Sequence, residues 1–500
     1  MNVISSLGSG RGGDLRVRAA PKRTFSALLA AILIAATHGA HAEKFALVNG
    51  TIINPRSSEV RGPGTNAAIV IDGDHIDSIG PKILPADAKL IDAKGKFIRP
   101  GYIDTHVHFF QSGDIYTRPD AVDVTSVRPY KDEVAWIKAH LDDTFASYLR
   151  CGITSVVDVG GPMWNFEVRK RAHSTAKAPR VAVAGPLISS VARPQLDLGD
   201  PPIVKIDTSE QGREFVRKLA AQNPDYIKIW YIVPSSEAVP GRSDVERAAI
   251  FRPVVHAVIE ESHRVKLRVA VHATELEAAR AAVEEGADLL VHSVIDRLVD
   301  DAFLRLLKDR GTILTPTLVV FERYGRTFAN KLNLTPEEKA WGNPEVIATL
   351  DVTKLPPDKM PDRIKTAMAN PDETLNRIRK TYEIALKNLK TLEDAGITIA
   401  AGTDAGNIGT IHGPALFREF QLMREAGLTP MQILQSTTAN AAKTFGGDTG
   451  AKIGAIAPGK FADLVILNSN PLDDIAHASD LQAVIKNGVL YPGQSLEMNP

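Results

Sequence analysis

Phe97-Ile-Arg-Pro-Gly-Tyr-Ile-Asp-Thr-His-Val-His108 is the stretch at which the chain changes its pattern. Before it lie short strand-like runs separated by turns: Phe45–Asn49, Ala67–Asp72, His75–Ile79 and Lys89–Asp92, with Asp72-Gly73-Asp74 as a hairpin turn. After it, apolar runs of strand length alternate with amphipathic helical stretches. The strands read as Tyr102–Thr105, Ser155–Val159, Val181–Ala184, Tyr226–Tyr231, Arg268–His272, Leu289–His292, Thr312–Thr315 and Thr398–Thr403. The intervening Glu275-Leu-Glu-Ala-Ala-Arg-Ala-Ala-Val-Glu-Glu285 has apolar residues at helical spacing and Gly286 at its end. Parallel strands need helical crossovers, and a closed α/β (β/α)8 TIM barrel is the simplest eight-strand solution.

Outward from the barrel, 100–445, two further regions stand out. Residues 318–374 form a Pro- and charge-rich insertion after strand seven, at the barrel end where such enzymes keep their chemistry; a lid and a plain solvent-exposed excursion both fit it. Beyond the helix expected at Pro430–Phe445, β pattern returns in Gly454-Ala-Ile-Ala-Pro-Gly-Lys-Phe-Ala-Asp-Leu-Val-Ile-Leu467 and in a hairpin around Asn487-Gly488. Segments 43–99 and 446–500 are expected to pair into a small discontinuous β-sandwich.

Residues 1–42 read as a signal peptide. Arg16, Arg18, Lys22 and Arg23 precede the apolar run 25–36, and Ala40-His41-Ala42 offers small residues for cleavage. The run is too short to span a bilayer, which takes roughly 20 apolar residues. The expected mature chain begins near Glu43 and is exported, to a periplasm or beyond, with no further membrane association. Lys22-Arg23 leaves both the general and the twin-arginine export routes open.

The 500 residues are 44% hydrophobic and 24% charged, as in globular proteins. Lys and Arg together number 59, as do Asp and Glu, so no bulk basic field exists to hold nucleic acid. The single cysteine, Cys151, excludes an intrachain disulfide and a cysteine-based metal cluster. A metal would have to be held by His and carboxylate groups.

Such groups sit where a barrel would use them. His106 and His108 are two apart in a strand and so face one side. Three other strands end in His272, His292 and Asp404. A histidine at a strand end is most often ordinary structure, but four of them and a carboxylate at one barrel mouth make a nitrogen/oxygen donor set suited to zinc or a similar ion. Lys228 is the one cationic side chain within the fourth strand. Buried, its amine is expected to lose its proton or be modified, and a neutral amine can take up carbon dioxide as a carbamate. An ion-paired ammonium is the plainer alternative. His140, His173, His256 and His263 fall in helical or loop stretches and read as background.

Arg99-Pro-Gly-Tyr-Ile-Asp-Thr-His-Val-His108, Lys228, His272, His292, Ala401-Gly-Thr-Asp404 and the closing Gly454–Leu467 segment together resemble the amidohydrolase superfamily. Asp288-Leu-Leu-Val-His292, Gly311-Thr-Ile-Leu-Thr-Pro-Thr317 and Ile411-His-Gly-Pro…Glu419 are similar to its imidazolonepropionase-like and prolidase-like (Xaa-Pro dipeptidase) branch. The resemblance implies two divalent metal ions, most simply zinc. His106, His108 and Asp404 would hold the buried one, His272 and His292 the more exposed one, and a carbamylated Lys228 would bridge them. Imidazolonepropionase itself is mononuclear and lacks the carbamate, so Lys228 favours the two-metal reading.

The expected activity is hydrolysis of a carbon–nitrogen bond in a small molecule such as a dipeptide or N-acyl amino acid. Divalent ions lower the pKa of bound water from 15.7 to about 7 and polarise a carbonyl. Asp404 is expected to shuttle the proton, and Tyr231, three residues past Lys228, to donate to the oxyanion. Tyr231 reads equally as a core aromatic. His412, eight residues past Asp404, is a candidate substrate contact or a surface residue. Two alternatives stay open: a mononuclear cyclic amide, lactone or carbamate hydrolase, and a secreted metal- or ligand-binding protein without turnover. The oligomeric state is open, a homo-oligomer included.

Overall fold

The structure, a computed structural model, describes residues 44–63, 67–81 and 83–493. The expected signal peptide at 1–42 lies outside the described residues.

The N-terminal segment forms seven short strands: β1 Phe45–Val48, β2 Thr51–Asn54, β3 Glu59–Arg61, β4 Ile69–Asp72, β5 His75–Ile79, β6 Lys89–Asp92 and β7 Phe97–Pro100. The barrel region contributes β8 Tyr102–Val107, β9 Ile153–Asp158, β10 Arg180–Val183, β11 Leu187–Ser189, β12 Ile203–Lys205, β13 Tyr226–Trp230, β14 Arg268–His272, β15 Leu289–Val291 and β16 Ile313–Thr315. The tail adds β17 Leu464–Leu467, β18 Leu481–Lys486 and β19 Val489–Pro492.

Two sheets, ordered β5-β4-β1-β6 and β19-β18-β17-β7-β2-β3, form the sandwich. Head and tail strands interleave in the second sheet because β7 and β17 pair antiparallel, Ile98 opposite Ile466. Leu47, Ile69 and Ile71 from one sheet meet Ile98, Leu464, Ile466 and Ile485 from the other in one apolar core. At the β18–β19 turn both Asn487 and Gly488 have left-handed φ, the pattern of a tight hairpin. A Cβ at Gly488 would fall against the carbonyl of Gly73, so the two hairpin turns touch and only glycine fits there.

The barrel runs β8, β9, β10/β11, β13, β14, β15, β16 and then residues 398–405. Stave three is bent. Its first half, β10, pairs with β9, and after Gly185 its second half, β11, pairs with β13, Ile188 opposite Ile229. The expected eighth strand at 398–403 is an extended segment rather than a regular ladder. It bridges both neighbours, Ile399 to Leu314 and Ala405 to Val107, and the Thr105 and Asp404 amides donate across it to Ala401 and His106. That closes the barrel. The helix expected at Pro430–Phe445 is two helices, Pro430–Ser436 and Ala439–Phe445, because Thr437 turns aside to bond Ile103 on β8 through both its carbonyl and its hydroxyl. A further short helix, Gly447–Lys452, follows before the β pattern returns.

Residues 318–374 fold as helices Leu318–Phe328, Pro336–Trp341, Pro344–Thr349 and Asp362–Ala369, followed by the start of the 24-residue helix Pro371–Asp394. They share a buried core with the loop after β8 (Ile115, Val122, Val124) and with the loop after the eighth stave (Ile408, Ile411). The segment therefore packs as a helical cap over the C-terminal barrel mouth.

Candidate metal centre

The alternation of β8 sets the site. His106 and His108 stand two apart where β8 ends at the barrel mouth. Asp104 is fully buried and accepts from the Thr403 hydroxyl at 2.7 Å and amide at 3.1 Å, tying β8 to the eighth stave. Burial pushes its carboxyl up to about 7. Gly402 lies between them. A Cβ there would meet Thr315 Cγ2 at 2.6 Å and His106 Cβ at 2.9 Å, so a side chain would push the histidine out of place.

Four imidazoles then converge. The ring centroids of His106 and His108 are 5.3 Å apart, those of His106 and His292 4.7 Å, and those of His272 and His292 4.4 Å. His108 Nδ1 lies 2.6 Å from the Gly160 carbonyl, which can only accept, so Nδ1 carries the proton and Nε2 presents its lone pair. His292 Nδ1 pairs with the Thr317 hydroxyl at 2.7 Å. Burial holds His106 down to about 3 and His272 and His292 well below their usual value, so all three are neutral ligands. Asp404 Oδ1 lies 3.3 Å from His106 Nε2 and 3.1 Å from His108 Nε2.

These donors fit a divalent ion. Ligands bonded at 2.0–2.1 Å in a tetrahedral arrangement stand about 3.3 Å from one another. Ligand atoms of His106, His292 and Asp404 all lie within 4.8 Å of one another. Neither nitrogen of the fully buried His106 ring has a hydrogen-bond partner among the described residues. Nor does Lys228 Nζ, whose amine burial pushes down to about 7 against the pull of Asp404. Buried polar groups are almost always satisfied, so these atoms fit residues that would bind an ion. The backbone is held in strain at the same place, with left-handed φ at His292 (79°), Thr317 (47°) and Asp404 (61°).

The structure brings His106, His108, Lys228, His272, His292 and Asp404 to one barrel mouth. It does not bring Tyr231 or His412 to them. The Tyr231 hydroxyl donates to the Ala248 carbonyl and its ring packs on Phe251, which corrects the expected oxyanion role. Strand alternation explains this: Lys228 and Trp230 point inward, and Tyr231 points out. Trp230 instead stands at the mouth, 6.0 Å from the His272 ring, with the Arg193 guanidinium 4.8 Å over its face. His412 is neither a surface residue nor placed as a substrate contact. It stacks on Phe109, pairs with the Tyr148 hydroxyl at 2.7 Å and donates to the Gln111 carbonyl at 2.8 Å, and burial lowers its pKa to about 4.

Sequence reading missed the residues that hold Asp404. Asn407 Nδ2 donates to Asp404 Oδ1 at 2.7 Å. The Asn407 carbonyl oxygen accepts from Arg118 Nη1 at 2.7 Å and from the Tyr324 hydroxyl, so its amide can face only Asp404. Arg118 is clamped by both oxygens of Asp120. Asn407 follows Asp404 by three residues, a faint signal; Arg118 and Tyr324 come from a loop and the cap, with none.

The amidohydrolase family model matches residues 97–491, most of the chain and all of these ligands. This chain belongs to the amidohydrolase family. Curated relatives match this amidohydrolase only over short stretches. The dihydroorotase of Streptococcus thermophilus is 37% identical over 68 residues, 14% of this chain and 15% of that protein. The dihydroorotase of Bacillus subtilis is 28% identical over 150 residues, 26% and 34% of the two chains. Solved structures align over nearly the full length. A Xaa-Pro dipeptidase with bound methionine has a TM-score of 0.63 at 24% identity, covering 90% of this chain and 100% of its own. The ochratoxinase of A. niger has 0.65 at 22%, covering 91% and 96%, and phenylurea hydrolase B has 0.66 at 19%, covering 91% and 98%. At these identities the likeness is one of fold.

Proposed function

We propose that this amidohydrolase cleaves a carbon–nitrogen bond of a small amide or dipeptide-type substrate with the help of two divalent ions. The observation that carries this is the convergence of His106, His108, His272, His292 and Asp404 around the amine of Lys228, which has no hydrogen-bond partner among the described residues. His106, His108 and Asp404 would hold one ion, and His272 and His292 the other. Lys228, with an amine near pKa 7, would add carbon dioxide to become a carbamate and release one proton, and so would supply an anion to help hold the ions. Divalent ions in such a site supply water of lowered pKa and polarise the scissile carbonyl.

The chain's own residues would do the rest. Asp404 would take the proton of the attacking water and deliver it to the leaving amine. Asn407, fixed by Arg118 and Tyr324, would keep the carboxylate in one orientation for both transfers. Trp230 would wall the mouth beside His272, and the helical cap would limit water. The prolidase- and ochratoxinase-type names among its structural neighbours support an amide substrate. We also propose export, with a mature chain starting near Glu43. The test is a steady-state assay of metal-loaded and chelator-stripped protein against dipeptides, N-acyl amino acids and cyclic amides. Turnover of an acyclic amide that disappears on stripping and returns with zinc is expected. Turnover confined to cyclic amides or lactones, or none on any substrate, would contradict the proposal.

A further inference from the structure

A cleft of about 530 Å³ runs between three helices of the cap, Leu318–Phe328, Asp362–Ala369 and Pro371–Asp394. Its walls include Phe321, Phe328, Ala367 and Ile378. That volume lies within the range of small-molecule sites.

Phe321 links the cleft to the metal centre. Residues 321, 325 and 328 are spaced by four and three and so form one helix face. Phe321 and Phe328 on that face line the cleft. The Phe321 ring also lies 6.2 Å from the His292 ring, and Tyr324 on the same helix bonds Asn407, which holds Asp404. Phe321 is thus shared by the cleft wall and the rim of the metal centre, so a substrate whose scissile carbonyl sits beside His292 would meet the cleft's apolar wall at this ring.

The lining is net cationic. Arg363 and Arg377 line the cleft against the single carboxylate of Glu373. Arg363 donates to the Ala121 carbonyl and lies over Phe328, and among the described residues no ion pair is recorded for it or for Arg377. Two guanidinium groups beside an apolar wall suit a carboxylate at the end of an aromatic or long apolar arm.

We propose that this cleft is the specificity subsite of the enzyme and that it takes an apolar, carboxylate-tipped arm of the substrate, an inference that rests on the hydrolytic reading above. Preference for a bulky acidic amide over a small neutral one then comes from the cap.

Binding can be measured without turnover. The probes are naphthalene-2-carboxylate and its neutral carboxamide, titrated calorimetrically into the full chain, both metal-loaded and chelator-stripped. The carboxylate should bind in both states and more tightly than the carboxamide. The double substitution Arg363→Met with Arg377→Met should weaken the carboxylate by about tenfold or more, the scale of a charge-assisted hydrogen bond, and leave the carboxamide within about twofold. Thr366→Trp, at an exposed position lining the cleft, should weaken both probes. In an active preparation the carboxylate should also inhibit hydrolysis competitively. Carboxylate binding that vanishes on stripping the metal and ignores all three substitutions would place the probe on the metals and overturn the subsite. Cleft binding that follows the substitutions in a protein that hydrolyses no amide would sink the hydrolytic reading and leave the cleft standing as a binding site.

Discussion

Replacing Asn407 with Ala should slow the chemical step while leaving the metals in place. Asn407 Nδ2 gives Asp404 Oδ1 a hydrogen bond of 2.7 Å, and its own carbonyl is held by Arg118 and Tyr324. A hydrogen bond to a charged group contributes about 1.5–3 kcal/mol. Truncation also leaves Arg118 Nη1 and the Tyr324 hydroxyl without their shared acceptor at a buried site. Asp404 keeps its contacts with His106 and His108, so the ligand set survives. If that energy is expressed in full only when the carboxylate must accept and return a proton, kcat falls by about 10- to 150-fold, with KM within about threefold. Steady-state kinetics beside metal analysis of the same preparation provides the assay. A variant with wild-type metal content and kcat within twofold of wild type would refute the view that Asn407 orients the proton carrier. A loss of metal would show instead that Asn407 serves the ligand geometry.

Three further outcomes follow from the same geometry. Tyr231→Phe should keep kcat within about twofold and cost about 1–2 kcal/mol of stability, because its hydroxyl serves the Ala248 carbonyl and not the substrate; a hundredfold loss of kcat with an intact fold would restore the oxyanion role. Burial raises Glu419 to about 8 even though it accepts from the Leu318 and Val319 amides. The folded state thus holds a proton that the unfolded chain has released, so this group's contribution declines as pH rises from about 4.5 to 8. In Glu419→Gln, the slope of unfolding free energy against pH in that window should differ by up to ~1.4 kcal/mol per pH unit, and denaturant titrations at pH 6 and 8 that show an unchanged slope would count against this. N-terminal sequencing of exported protein should begin close to Glu43, and a chain starting intact at Met1 would contradict the export proposal.

The barrel was legible because its strands are buried on both sides and read as apolar runs, from Tyr102 through Thr315. The eighth stave was legible through Thr398–Thr403 even though it forms no regular ladder, since its apolar residues must still fill the barrel wall. The metal-ligand candidates were legible for a similar reason. Histidines and an aspartate at strand ends interrupt apolar sequence, and the period of two places His106 and His108 together. The same period, counted from Lys228, turns Tyr231 outward. His412 misled because one sequence cannot show that both ring nitrogens are taken up by Tyr148 and Gln111. Arg118, Asn407 and Tyr324 meet across 289 positions of chain, in loops and cap helices whose packing leaves no periodic trace. The bend at Gly185 that splits stave three into β10 and β11 was likewise hidden, since Ala184-Gly185-Pro186 reads simply as the end of a strand.

The proposed carbamate on Lys228 beside two divalent ions is tested most directly by a crystal structure of the freshly purified, metal-loaded enzyme, with metal content determined on the same sample. The account predicts two metal ions per chain and added density for one carbon dioxide unit on Lys228 Nζ. It further predicts that Lys228→Ala loses most activity and regains part of it with added short-chain carboxylic acids, which fill the vacated position, whereas Lys228→Arg is not rescued. A single bound metal, an unmodified Lys228 ion-paired to a neighbour, and near-wild-type activity in Lys228→Ala would contradict it.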